Sequence, residues 1–112
     1  MELKTMVKAL EYLRAAVGEL GIQQMLMLLT IMDEEGITQS DLAERFNFQQ
    51  GSVSKNCKRL SRYTTTRQGQ EVVMGMDLIK LIPSVTQFRR LECHLTSRGK
   101  QIRKLLKREL SD

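Results

Sequence analysis

A chain of 112 residues is enough for one domain, and 18 Lys/Arg against 13 Asp/Glu make it basic, with a net charge of +5. Two cysteines, Cys57 and Cys93, and the single His94 offer no zinc-ligand spacing and no disulfide framework. No Ser/His/Asp arrangement and no phosphate-cradling glycine loop stands in the sequence, so it points away from an enzyme, from a metal site and from a cofactor.

The charge is unevenly placed. Residues 1–46 hold four Lys/Arg against eight Asp/Glu, and residues 47–112 hold fourteen against five. A basic half of this kind attracts phosphate backbones and makes affinity fall with salt. Anionic lipid or an acidic protein would answer to charge alone, so the pattern of the elements has to decide.

The first element is a helix in segment 1–20. Leu3, Met6, Leu10, Leu13, Val17 and Leu20 recur at alternating steps of three and four, an a/d seam over nearly three heptads. Gly18 and Gly21 interrupt it, so the helix is expected to stop near Val17. Leu3, Met6, Leu10, Leu13 and Val17 are candidates for pairing with a second chain, with packing on the domain as the alternative. Ile22 to Met32 is apolar almost all round, which suits a central helix covered by its neighbours. Its apolar run, Met25 to Met32, is too short to cross a bilayer and no leader precedes it. The expectation is a cytoplasmic protein, with no membrane partner and both cysteines as thiols.

Residues 37–62 carry the strongest pattern. Leu42, Ala43 and Phe46 share one face of a short helix, with Ser40 or Thr38 as N-cap and Asp41 and Glu44 near its positive end. Asn47, which tolerates the left-handed conformation, ends it, and Phe48 plugs the turn. A second helix is predicted from Gln49 or Gln50 to Arg62, with Val53, Cys57 and Leu60 inward. Outward it presents Gln50, Gly51, Ser52, Ser54, Lys55, Lys58, Arg59 and Arg62, with no carboxylate among them. Gln pairs bidentately with adenine, Lys reaches guanine or phosphate, and Ser reads either. This is the pattern of a helix-turn-helix whose second helix enters the major groove. The plain alternative is a helical hairpin with one polar, solvated face.

Residues 76–96 read as a β-hairpin: Met76 to Pro83 is rich in Ile and Leu, and Leu91, Cys93 and Leu95 alternate with Arg90, Glu92 and His94. Ser84 to Phe88 joins the strands. Residues 97–110 form an amphipathic helix with Ile102, Leu105, Leu106 and Leu110 inward, six Lys/Arg from Arg98 to Arg108, and Ser97 as N-cap. Cys57 and Cys93 both fall at inward positions, as small buried hydrophobes rather than as a redox switch beneath the reading face. Residues 1–112 are thus read as a single domain, mainly α with a small β-hairpin, in the order of a winged helix.

The segment ITQSDLAERFNFQQGSVSKNCKRL and the junction LECHLTSRGKQIRKLL, with its LT-x-x-G step into the last helix, resemble the MarR-type winged-helix transcription regulators over most of the chain. The resemblance implies a dimer held by the N- and C-terminal helices and bound to double-stranded DNA at a pseudo-palindromic operator, usually as a repressor. By position, Gln49, Gln50, Ser52, Ser54 and Lys55 would face bases or adjacent phosphates. Lys58, Arg59 and Arg62 would grip the backbone, and Arg89 or Arg90 would lie in the wing near the minor groove. A small-molecule effector is left open. Three features depart from the group. Tyr63 to Gly75 stands where the group has only a few residues, as a helix extension, an extra strand or a mobile loop. The wing tip is Ser84 to Phe88, without an acidic–basic pattern, and one C-terminal helix replaces two. A sequence-specific regulator of a bacterial, plasmid or phage promoter is the leading expectation. A winged helix binding duplex DNA with little sequence choice, or one docking on a protein, are the alternatives.

Overall fold

The computed structural model describes residues 2–111. In chain order they form α1 (Leu3–Val17), α2 (Ile22–Asp33), α3 (Gln39–Phe46), α4 (Gln50–Leu60), β1 (Arg62–Arg67), β2 (Gln70–Gly75), β3 (Ile79–Pro83), β4 (Leu91–Leu95) and α5 (Ser97–Leu110). No single helix is long and apolar enough to cross a membrane.

Local chemistry explains most boundaries. α1 stops at Gly18, whose φ of 88° turns the chain away. α3 begins at Thr38, whose Oγ1 accepts a hydrogen bond from the Asp41 N–H at 3.1 Å. It ends at Asn47, left-handed at φ 55°, and the Phe48 N–H returns to the Ala43 carbonyl at 2.9 Å. Phe48 stacks on Phe46 with ring centroids 5.3 Å apart, which holds the turn before α4.

The helices enclose one core. Leu13 of α1, Met27, Leu28 and Ile31 of α2, Leu42 of α3 and Val53, Cys57 and Leu60 of α4 are buried together with Leu78, Ile79, Cys93, Leu95, Ile102 and Leu106. α1 runs against α5, and α2 packs on α4. The apolar circumference expected of α2 is only partly covered, because Ile22 and Leu26 face outward.

β3 and β4 pair antiparallel, with Ile79 opposite Leu95 and Leu81 opposite Cys93. Thr38 adds an isolated bridge to Glu92, and the Cys93 N–H donates to the Ile37 carbonyl at 2.8 Å. The segment ahead of α3 therefore joins the wing strands to the helix-turn-helix. α5 packs its first turn directly on this junction. A Cβ on Gly99 would lie 2.2 Å from the Leu78 carbonyl oxygen, so the glycine of the LT-x-x-G step is a packing requirement. Gly99→Ala is expected to destabilise the fold by about 2–3 kcal/mol through overpacking, measured by urea unfolding. An unchanged midpoint would mean that the helix can ride outward at no cost.

Two boundaries differ from the sequence expectation, and the segment it leaves open takes a definite form. α4 ends at Leu60 instead of Arg62: Ser61 is extended, and its hydroxyl donates to the Lys58 carbonyl at 2.8 Å. Arg62 thus opens a strand, in a Tyr-Thr-Thr-Thr run whose β-branched side chains favour that state. Residues 62–75 are a second hairpin, β1 with β2 in register from Arg62 opposite Gly75 to Arg67 opposite Gln70. Gln68 and Gly69, both at positive φ, form its two-residue turn. At its base Gly75, φ 95°, lies so close to the Ser61 carbonyl oxygen that a Cβ would sit 1.8 Å away. Finally, the cap of α5 is Thr96 instead of Ser97. Its Oγ1 accepts from the Gly99 N–H at 3.1 Å and donates to the Asp77 carbonyl at 2.7 Å, a pair of bonds that Ser97 does not make.

Candidate nucleic-acid interface

α4 presents its polar residues as one face. Gln50, Gly51, Ser54, Lys55, Lys58 and Arg59 are exposed and follow the i, i+1, i+4, i+5 spacing of a single helical stripe. Gln49 is exposed at the N-cap, while Ser52 is half-buried at the margin of the stripe. A Cβ on Gly51 would meet nothing within 4 Å, so no contact inside the protein demands a glycine there. Beneath the stripe, Val53, Cys57 and Leu60 are fully buried and fix the helix to the core. Asn56 latches it sideways to α2, accepting from Gln24 Nε2 at 3.2 Å and donating to Gln23 Oε1 at 3.4 Å.

Among the described residues, Arg14, Arg45, Arg90 and Arg103 reach carboxylates, and His94 lies against Glu35 and Glu92. Lys55, Lys58, Arg59, Arg62 and Arg89 enter none of these ion pairs. The acids of the first half are thus partly neutralised, whereas the exposed cations of α4, like every lysine among the described residues, enter no ion pair. Lys58 lies over the Tyr63 ring, with Nζ 4.8 Å from its centroid, so the inserted hairpin steadies one of these cations. Periodicity along the chain carries no sign of that contact, because it leaves the conformation of Tyr63 open.

The predicted wing residues sit on a structured tip. Arg90 pairs with Asp41 at 3.8 Å, beside the first turn of α3, while Arg89 is exposed and left-handed at φ 61°. Val85 and Phe88 are 96% and 87% exposed, which alternating strand patterns do not foretell for large apolar residues. Two basic residues of α5 are structural instead: Arg98 donates to the Met76 and Ala16 carbonyls, and Arg103 to the Met32 carbonyl and to Glu35.

The residues named for pairing with a second chain divide in two. Leu13 is buried in the protomer's own core at 1% exposed, and Val17 packs half-buried against it. Leu10 is half-buried, and Leu3 and Met6 are exposed. Met6, Ala9, Leu10, Leu13, Leu29, Leu106 and Leu110 line an apolar groove of about 290 Å³ between α1 and α5.

Cys57 of α4 and Cys93 of β4 are fully buried with their sulfurs 4.0 Å apart, and the Cys57 sulfur together with burial pushes the Cys93 thiol up. Glu35, in the loop between α2 and α3, accepts from the Leu95 N–H at 3.0 Å and from Arg103 Nη1 at 3.2 Å. The Leu95 bond, aided by Arg103 and Lys100 against the effect of burial, holds its carboxyl below the ordinary 4.5. A carboxylate with a depressed folded pKa stabilises the protein above its unfolded value and stops doing so as pH falls through the folded one. Glu35→Ala is therefore expected to cost about 1–2 kcal/mol at pH 7, with the difference from wild type closing progressively below the ordinary carboxyl range. Urea unfolding at several pH values checks this. A gap that persists in acid would assign the loss to packing.

Comparison with known proteins agrees with this arrangement. The MarR family model matches residues 19–62, which span α2 and the whole helix-turn-helix. The chain has a winged-helix fold, and its residues 19–62 are similar to the MarR family. Among solved structures, the disulfide-formed state of AbfR superposes with a TM-score of 0.59 at 17% identity, covering 97% of this chain and 67% of that one. The crystal structure of MarR superposes at 0.57 with 24% identity, covering 97% and 75%. No curated protein matches by sequence. Within this MarR-type frame, β3–β4 is the wing and β1–β2 a hairpin inserted between α4 and the wing.

Proposed function

We propose that the protein is a dimeric, sequence-specific regulator of transcription that binds duplex DNA and represses a bacterial, plasmid or phage promoter by occupying it. The observation that carries the reading is the carboxylate-free outer face of α4, whose Lys55, Lys58 and Arg59 enter none of the ion pairs among the described residues. Cations left free on a helix held rigidly by a buried face are suited to phosphates, and Gln50 and Ser54 between them are suited to base edges. Gly51 supports close approach, since nothing within the domain explains its missing side chain. Arg62 on the inserted hairpin and Arg89 on the wing extend the cationic surface beyond α4. The exposed seam of α1 and the groove beside α5 favour a two-fold partner. A protomer with a longest extent of 45 Å is of the size needed to place two reading helices one DNA turn apart.

Selection from a random duplex pool at near-physiological salt tests the proposal. An inverted repeat with half-sites about one helical turn apart is the expected product. Recovery of no preferred sequence, with a steep salt dependence, would point to general DNA binding; no recovery at all would leave α4 as a surface for a protein. On a selected site, Gln50→Ala is expected to relax preference at one or two positions and to cost about 1–3 kcal/mol there. Equal weakening on every sequence, measured by competition binding, would remove Gln50 from base reading.

A further inference from the structure

The wing tip, residues 84–90, exposes two large apolar side chains and yet is internally braced. The Ser84 N–H donates to the Arg90 carbonyl at 2.9 Å and the Arg90 N–H to the Gln87 carbonyl at 3.2 Å. Ser84 Oγ accepts from the Thr86 and Gln87 N–H groups at 3.3 and 3.1 Å, and Arg90 Nη1 donates to Gln87 Oε1 at 3.0 Å. These bonds hold Val85 and Phe88 out in water, where they are the two most exposed large apolar residues among those described. The guanidinium of Arg89 stacks over the Phe88 ring, 5.1 Å from its centroid, and no acid stands between Ser84 and Arg90. The tip is thus an apolar point flanked by the Arg89 cation, while Arg90 is turned to Asp41.

We propose that this tip is a wedge for duplex DNA: Phe88, backed by Val85, enters the minor groove and partly unstacks one base step, bending the duplex, while Arg89 neutralises an adjoining phosphate. The inference rests on the DNA-binding reading above and deepens it. Two side chains on a narrow turn are far too small an area for a stable protein interface, which takes roughly 800 Å² from each partner. The space between two base pairs is matched to one ring, and exposed Phe residues on minor-groove proteins act in this way. The Arg89 cation matches the negative potential of the groove, and the tip contributes nothing to the domain's own core. The favoured target is a pyrimidine–purine step such as TA or CA, the easiest to unstack.

The test uses the full chain on selected duplexes in which 2-aminopurine replaces adenine at each TA or CA step in turn, with end labels reporting the bend by energy transfer. Binding is followed separately by anisotropy. Wild type is expected to raise 2-aminopurine emission severalfold at one step and to shorten the end-to-end distance. Phe88→Ala is expected to lose both signals and about 3–30-fold in affinity while keeping the wild-type melting curve. Phe88→Leu, which keeps an apolar wedge, is expected to retain part of the bend. Tight binding by wild type with no unstacking and no bend would overturn the wedge and leave the DNA reading standing. Retention of both signals by Phe88→Ala would overturn it equally. Absence of wild-type binding to any duplex would remove the DNA reading and the wedge with it, and loss of binding to anionic vesicles in Phe88→Ala would then assign the tip to a lipid surface.

Discussion

Leu13→Asp is expected to leave no folded protein at 25 °C, whereas Leu3→Asp is expected to leave a folded monomer. Both residues belong to one a/d seam, but α1 divides that seam lengthwise. Leu13 is 1% exposed, packed with the α2 and α5 residues of the core. Replacing it removes a buried leucine, worth about 2–5 kcal/mol with the cavity it leaves, and adds a carboxylate with no partner in an apolar setting. The sum approaches the whole stability of a small domain, about 5–15 kcal/mol. Leu3 is 78% exposed, so an aspartate there remains solvated and acts only on what another chain brings. Circular dichroism and sedimentation velocity separate the two effects. A folded Leu13→Asp protein would mean that α1 detaches without unfolding the rest. A dimer after both Leu3→Asp and Met6→Asp would move the interface off this end of α1.

The second large effect concerns charge. The triple change Lys55→Ala, Lys58→Ala and Arg59→Ala is expected to lower the salt slope of DNA binding by close to 3, about 0.9 for each phosphate contact removed. Affinity near physiological salt should fall at least tenfold, on all sequences alike, because phosphate contacts carry no base information. Stability should hardly change, since all three side chains are exposed and none of the three enters the observed ion pairs. Titrations at several salt concentrations measure the slope directly. An unaltered slope would place the phosphate contacts elsewhere, on the inserted hairpin or on α5.

Local chemistry made much of this fold legible. Thr38 ahead of Asp41 (with Ser40 the other cap the sequence allows), Asn47 after Phe46, and the inward spacing of Val53, Cys57 and Leu60 each act over a few residues, and each appears in the structure. The outward face of α4 follows from the same periodicity, because fixing one face of a helix fixes the other. The inserted hairpin had a local signal as well: a Tyr-Thr-Thr-Thr run, a Gln-Gly pair at a turn, and Val72 and Val73 beyond it. Length alone concealed it, since thirteen residues admit a helix extension or a loop equally well.

By itself the sequence determined the elements other than the inserted hairpin, their order, the helix-turn-helix and the concentration of positive charge after residue 46, since these depend on spacing and composition along the chain. Only the tertiary structure decided which half of the α1 seam is core, since the packing of α5 against it is a relation between distant segments. The same holds for the cations. Arg98 and Arg103 read like any other basic residue of α5 until the fold brings the Ala16, Met32 and Met76 carbonyls and Glu35 to them. Lys55 and Arg59 stand apart from the salt bridges because the fold brings no acid within reach. A periodic pattern states which side of an element is apolar, and only the packed chain states what each side meets.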